Sequence, residues 1–217
     1  MYSIMHFISN ELERYAESHS SPEPELLAEL RRETHLKVVQ PRMLSGHVQG
    51  RLLSLISRIQ QPQIVLEIGT YTGYSALCLA EGLSPAGTLH TLEVNEEFGP
   101  IAQEYFSRSP YMDHLHMHIG HALDLMPNIA GPYDLVFIDG KKEEYPEYFE
   151  ALYPRVRPGG LIVSDNILWS GKVVREAAVN DRATRTLQAY NRLLKEHPGL
   201  HTVILPLRDG LTLSYKL

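Results

Sequence analysis

Residues 63–80 read QIVLEIGTYTGYSALCLA. Ile64-Val65-Leu66 is a short apolar run of the kind needed by a strand buried on both faces of a parallel sheet. Gly69 and Gly73 bracket a tight turn, and Ser75 to Ala80 resumes as a helix former. Strand, glycine turn and helix make the first βα unit of a doubly wound fold, whose ligands lie at the carboxyl ends of the strands. The spacing is Glu67-x-Gly69-x-x-x-Gly73, with Tyr71 where a G-x-G-x-x-G fingerprint has the glycine that admits a pyrophosphate. That argues against an NAD-type dehydrogenase on a similar sheet. A negative Glu67 closing the strand suits a cationic ligand better than a phosphate.

Working outward, three amphipathic segments precede this unit. Ile4, Ile8, Leu12 and Tyr15 share one helical face, and Leu27, Leu30, Thr34 and Val38 share another. A third segment after Met43-Leu44-Ser45 is predicted to turn Val48, Leu52, Leu55 and Ile59 inward until Pro62. After the unit, strands predicted at 88–94, 114–119, 133–138 and 161–164 alternate with helices at 96–107, 121–129, 144–156 and 182–197. Segments 201–205 and 211–215 then pair across Asp209-Gly210, a hairpin signal. The reading is one domain over 1–217: a helical cap over 1–62 and an α/β core over 63–217.

Composition narrows the class. At 217 residues, 43% hydrophobic and 21% charged, the chain suits a soluble globular protein. A net charge of −6 offers no basic field for nucleic acid or an anionic membrane. The amino terminus lacks a basic n-region, and no apolar run approaches the ~20 residues of a transmembrane helix. The one cysteine, Cys78, precludes a disulfide within the chain, and a cytoplasmic location is expected.

Several side chains fall where chemistry is done. Glu93 ends the second strand twenty positions after Gly73, where an acid accepts hydrogen bonds from ribose hydroxyls. Asp139 ends the fourth strand, and Asp165-Asn166 ends the fifth. Carboxylates at adjacent strand ends converge above a sheet, and two acids with an amide supply three hard oxygens for an ion such as Mg²⁺. The plainer alternative has Asp165 capping its loop and Asn166 making a turn. His114, His116 and His118 share a strand face, but alternate positions lie about 7 Å apart, so a polar face is expected rather than a metal site.

The motifs EIGTYTGYSAL, LEVN, YDLVFIDGKKEEY, DNILWSGKVV and LPLRDGLTL, in this order, resemble the cation-dependent O-methyltransferases of the catechol and caffeoyl-CoA type, bacterial members above all. The resemblance runs from about Pro24 to the C-terminus. It implies a Rossmann-like class I methyltransferase sheet of seven strands, the last antiparallel, with helices on both faces. It implies S-adenosylmethionine (SAM) bound by Met43, Glu67, Gly69, Thr70, Tyr71, Gly73, Ser75, Glu93, Ala122 and Asp139. It implies a divalent cation, Mg²⁺ first and Mn²⁺ or Ca²⁺ as alternatives, on Asp139, Asp165 and Asn166. Lys142 takes the catalytic-lysine position, and Trp169 and Ser170 face a small aromatic diol acceptor. A homodimer is expected on the same ground. Two departures bear on the acceptor: Lys141 replaces a second acid of the plant enzymes, and Ser170 replaces an asparagine. A fold that has kept SAM and lost chemistry, or one with another acceptor, is the rival reading.

Overall fold

The computed structural model describes residues 9–217. Three helices come first, α1 (Asn10–Ser18), α2 (Glu25–Lys37) and α3 (His47–Gln60), with a 3-10 turn at Pro41–Met43 before α3. Ser9 caps α1 by accepting a bond from the Leu12 amide. Of the first apolar face expected from sequence, Ile4 and Ile8 lie outside the described residues, and Leu12 and Tyr15 are exposed. The stripe on α2 is buried at Leu27, Leu30 and Thr34 as expected.

The α3 face is a correction. Leu55 and Ile59 point outward, 54% and 76% exposed, whereas Gln49, Gly50, Leu53, Ser54, Ile56 and Ser57 are buried. The cause is the helix that follows the glycine turn, which packs on Gly50. A Cβ there would lie 2.6 Å from the Tyr74 ring and 2.9 Å from Cys78 Sγ. A small residue thus decided which face goes inward, not the longer apolar stripe.

The core alternates β1 (Ile64–Ile68), α4 (Tyr74–Ala80), β2 (Thr88–Glu93), α5 (Gly99–Arg108), β3 (Leu115–Ile119), α6 (Ala122–Leu125), β4 (Tyr133–Ile138), α7 (Tyr145–Leu152), β5 (Val156–Ser164), α8 (Arg182–Glu196), β6 (Leu200–Leu205) and β7 (Leu211–Lys216). The sheet order is β3-β2-β1-β4-β5-β7-β6, with β7 antiparallel to both neighbours. β1 and β4 lie at its centre, and every residue of β4 is buried, which explains their unbroken apolar runs. Two apolar clusters fill the space on either side, one under the cap helices and α4, the other under α7 and α8.

β5 begins five residues earlier than Leu161, and the helix expected to reach Val156 ends at Leu152. Tyr133 pairs with Val156 and Leu135 with Leu161, so Pro158-Gly159-Gly160 is an irregularity within the strand rather than a turn before it. The histidine strand also differs. His114 lies in a 3-10 turn with its ring on the Gly87 carbonyl, while His90 of β2 stacks between His116 and His118. Among the described residues no helix is long and apolar enough to cross a membrane.

Candidate active site

The turn after β1 is closed by backbone. The amides of Gly69 and Thr70 both donate to the Leu92 carbonyl, at 2.9 and 3.2 Å, tying the turn to β2. Gly69 has φ +100, and a Cβ on it would stand 2.4 Å from the Asp139 carbonyl oxygen. That glycine is what lets the first turn lie directly against the end of β4. Tyr71 sits at φ +50 and donates its amide to Glu93 Oε2 at 2.7 Å. Glu93 Oε1 accepts the Asn95 amide at 2.9 Å, so this nearly buried acid is already oriented by two backbone donors. Gly73 starts α4 at φ +93, and Ser75 is buried on its first turn. Gly120, two residues before Ala122 at the start of α6, donates to the Glu93 carbonyl, which brings Ala122 beside the end of β2.

Glu67 is fully buried, and its Oε2 accepts the Thr91 hydroxyl at 2.5 Å. Thr91 in turn meets Thr70 Oγ1 at 2.5 Å. Burial pushes the Glu67 carboxyl up to about 8, against the pull of the Ser75 and Thr91 hydroxyls, with Asp139 and Glu93 adding repulsion. Its Oε1 is buried without a hydrogen-bond partner. An orphaned carboxylate oxygen beside a glycine turn fits the cationic end of a ligand.

The second half of the site lies at the ends of β4 and β5. The Asp139 amide donates to Ile68 O, and the Asp165 amide donates to Ile138 O, so the sheet ladder carries both acids to one level. Burial, then repulsion from Asp139, raises the Asp165 carboxyl to about 7. Asp165 Oδ2 accepts from Gln49 Nε2 at 2.6 Å, and its Oδ1 accepts from the Asn166 amide at 2.6 Å. Asn166 stands at φ +59, a left-handed position that asparagine tolerates. Among the described residues no three His, Cys, Asp or Glu side chains gather as a metal cluster. The candidate set here is two acids and an amide, and a buried Asp165 repelled by the partly exposed Asp139 fits a hard cation.

Lys142 Nζ donates to Asp139 Oδ1 at 2.8 Å, to Gly140 O at 3.1 Å and to the Tyr145 hydroxyl at 2.9 Å. Tyr145 is buried and donates onward to Asp165 O at 3.0 Å. Lys141, by contrast, is exposed and pairs with Glu144 at 2.7 Å. The loop beyond Asn166 turns tightly, with Trp169 at φ +48 and Ser170 at φ +52. Trp169 Nε1 is buried without a partner, and exposed Ser170 donates its amide to Asp209 Oδ1 at 2.5 Å. Met43 is half exposed at the end of the 3-10 turn before α3.

Gln49, Tyr145 and Asp209 escaped the sequence reading. Gln49 had a signal: a polar residue one position off the apolar stripe of α3, next to a glycine. Away from these groups, an open surface recess of about 330 Å³ lies between α2 and α5. It shares no residue with the site and is walled by the Arg108–Glu29 and Lys37–Glu33 pairs, so ordinary surface ion pairing accounts for it.

A family model described as O-methyltransferase matches residues 17–217. A catechol O-methyltransferase of Mycobacterium tuberculosis is 38% identical over 163 residues, covering 74% of this chain and 72% of that protein. A caffeoyl-CoA O-methyltransferase of Eucalyptus globulus is 31% identical over 209 residues, covering 90% and 83%. Among solved structures, the O-methyltransferase TomG of Streptomyces achromogenes, in complex with SAM, superposes with a TM-score of 0.89 at 29% identity, covering 95% of this chain and 96% of that one.

Proposed function

We propose that this chain, which belongs to the O-methyltransferase family of the catechol and caffeoyl-CoA type and is a SAM-dependent O-methyltransferase, acts with a divalent cation on one hydroxyl of a vicinal dihydroxy aromatic. The observation that carries the reading is the pair of repelling acids, Asp139 and Asp165, set beside a lysine at two adjacent strand ends. When bound, SAM supplies an electrophilic methyl group, and a divalent ion supplies charge that acidifies and aligns the two acceptor oxygens.

The chain's own residues do the rest. Asp139, Asp165 and Asn166 would hold the ion, Mg²⁺ before Mn²⁺ or Ca²⁺. Glu67 offers its free oxygen to the cationic methionine end of SAM, with Gly69, Thr70, Tyr71, Gly73 and Ser75 shaping the turn around it. Glu93 accepts from the ribose hydroxyls, Ala122 lies against the adenine, and Met43 and Asp139 close the cofactor side. Lys142 takes the hydroxyl proton at Nζ. Trp169 and Ser170 wall the ring of the acceptor. The cytoplasm and a homodimer complete the reading, with no nucleic acid or membrane partner.

The test is a panel of diols and monophenols with labelled SAM. Chelation with EDTA should abolish transfer to the diols, and added Mg²⁺ or Mn²⁺ should restore it. Monophenols should be poor acceptors, since each offers the ion one oxygen. Full turnover in excess chelator, on protein shown to be free of metal, would leave a metal-independent methyltransferase.

A further inference from the structure

The turn between β6 and β7 reaches both sides of the site. Arg208, at φ +51, sends Nη1 to the Leu44 carbonyl at 2.6 Å and Nη2 to the Arg42 carbonyl at 3.2 Å. Those carbonyls flank Met43. Gly46 leaves room for the guanidinium: it sits at φ +77, and a Cβ there would come within 3.2 Å of Nη1. The next residue, Asp209, holds the opposite side. Its Oδ1 accepts the Ser170 amide at 2.5 Å, and its backbone carbonyl accepts the Leu168 amide at 2.9 Å. Gly210 adds a third tie, accepting the Ile167 amide at 3.2 Å, and any Cβ on it would strike Leu168 at 2.4 Å. Burial raises the Asp209 carboxyl against the pull of the Ser170 amide, Lys142 and Arg208, with Asp139 adding repulsion.

We infer that Arg208 and Asp209 are positioning residues that form one clamp, Arg208 fixing the segment 42–44 on the cofactor side and Asp209 fixing the loop 167–170 on the acceptor side. A guanidinium on two carbonyls and a carboxylate on an amide are charge-assisted bonds, stronger and more directional than neutral ones. The loop at 169–170 holds two non-glycine residues at positive φ, a conformation that persists only when surrounding contacts over-determine it. Asp209 supplies such a contact. The turn therefore sets the separation of the two walls, which a reaction needing in-line geometry depends on. This rests on the proposed function for the identity of the two walls, not for the clamp itself.

The two arms separate experimentally without an acceptor. Arg208→Ala should weaken binding of S-adenosylhomocysteine about tenfold by calorimetry, with amide exchange at 167–171 as in the wild type. Arg208→Lys should recover part of that loss. Asp209→Ala should do the reverse: exchange at the Ser170 amide about tenfold faster, with cofactor affinity near wild type. Asp209→Asn, which keeps an acceptor oxygen, should restore slow exchange, and Asp209→Ser reads the same arm if the alanine variant does not fold. With a diol that turns over, Asp209→Ala should raise the acceptor KM more than it lowers kcat. Both variants shifting affinity and exchange together, in proportion to a fall in Tm, would make the turn an ordinary hairpin and overturn the clamp. So would no change in either readout. Failure of every diol to react would strike the proposed function while leaving the binding and exchange results to decide the clamp.

Discussion

The two halves of the site are built on different terms. At the ends of β1 and β2, Glu93 is held by two backbone amides, the glycine turn is tied to Leu92, and Glu67 meets Thr91. At the ends of β4 and β5, two acids repel, and the loop beyond them runs through Asn166, Trp169 and Ser170 at positive φ. The first half is organised before any ligand arrives. Both halves hold a raised buried acid and a non-glycine residue at positive φ, Glu67 and Tyr71 in the first and Asp165 and Asn166 in the second, but the second adds Trp169 and Ser170 at positive φ in one loop. Under the proposed function the difference corresponds to a division of labour: one common donor, gripped in a fixed frame, and an acceptor that a bound ion would align by charge.

Substitutions that empty the second half should have the largest effects. Asp165→Ala and Asn166→Ala should each bring methyl transfer to background, while circular dichroism and Tm show a folded protein. Wild-type turnover from either variant would remove the second half from the chemistry. Next comes Lys142→Ala, which should lower kcat by about 10²–10⁴-fold, the range for a positioned base. Lys141→Ala should stay near wild type, because that side chain is exposed and pairs with Glu144. If Lys141→Ala were the inactive one, the register of this loop as a catalytic element would be wrong.

The organised half should respond more gently. Glu93→Ala should weaken cofactor binding roughly ten- to a hundredfold, as expected for loss of a charged acceptor at ~1.5–3 kcal/mol. Unchanged affinity by calorimetry would mean that Glu93 serves only the Tyr71 and Asn95 amides. The smallest effect concerns pH. The Glu67 carboxyl is raised from an ordinary value of 4.5 to about 8 by burial. The folded, ligand-free chain therefore holds a proton that the unfolded chain has released. The stabilisation is full below pH 4.5, is lost progressively as pH rises, and is gone above about 8. Glu67→Gln should flatten the fall of Tm across that window, and an unchanged slope would place the titrating group elsewhere.

Much of this contrast was legible in sequence because strand ends are. An apolar run announces a central strand, and the first polar residue after it stands at the carboxyl edge of the sheet. Glu67 and Asp139 are found that way, Asp165 one place further on behind Ser164, and Glu93 from its spacing of twenty after Gly73; the seven strands follow the expected order, and the β6–β7 hairpin stands where it was expected. What sequence could not resolve depends on contacts between distant elements. The buried face of α3 turned on Gly50 meeting Tyr74 and Cys78, not on counting apolar residues. Gln49 reaches Asp165 across 116 positions of chain, and Asp209 reads as a turn residue until Ser170 is seen on its carboxylate. The start of β5 was hidden because glycines that usually end strands sit inside one as an irregularity.

Cys78, the residue that Gly50 admits, closes with a practical consequence. Its sulfur is fully buried, and burial raises the thiol far above its ordinary range, so it presents no thiolate to solvent. It is also the one cysteine in 217 residues. The folded native chain should therefore not react with maleimides or nitroxide reagents. A single cysteine introduced on the exposed 175–179 stretch, with another on α2, would carry a spin or fluorophore pair with no background to remove, and the distance between the labels could be followed as donor, ion and acceptor are added in turn.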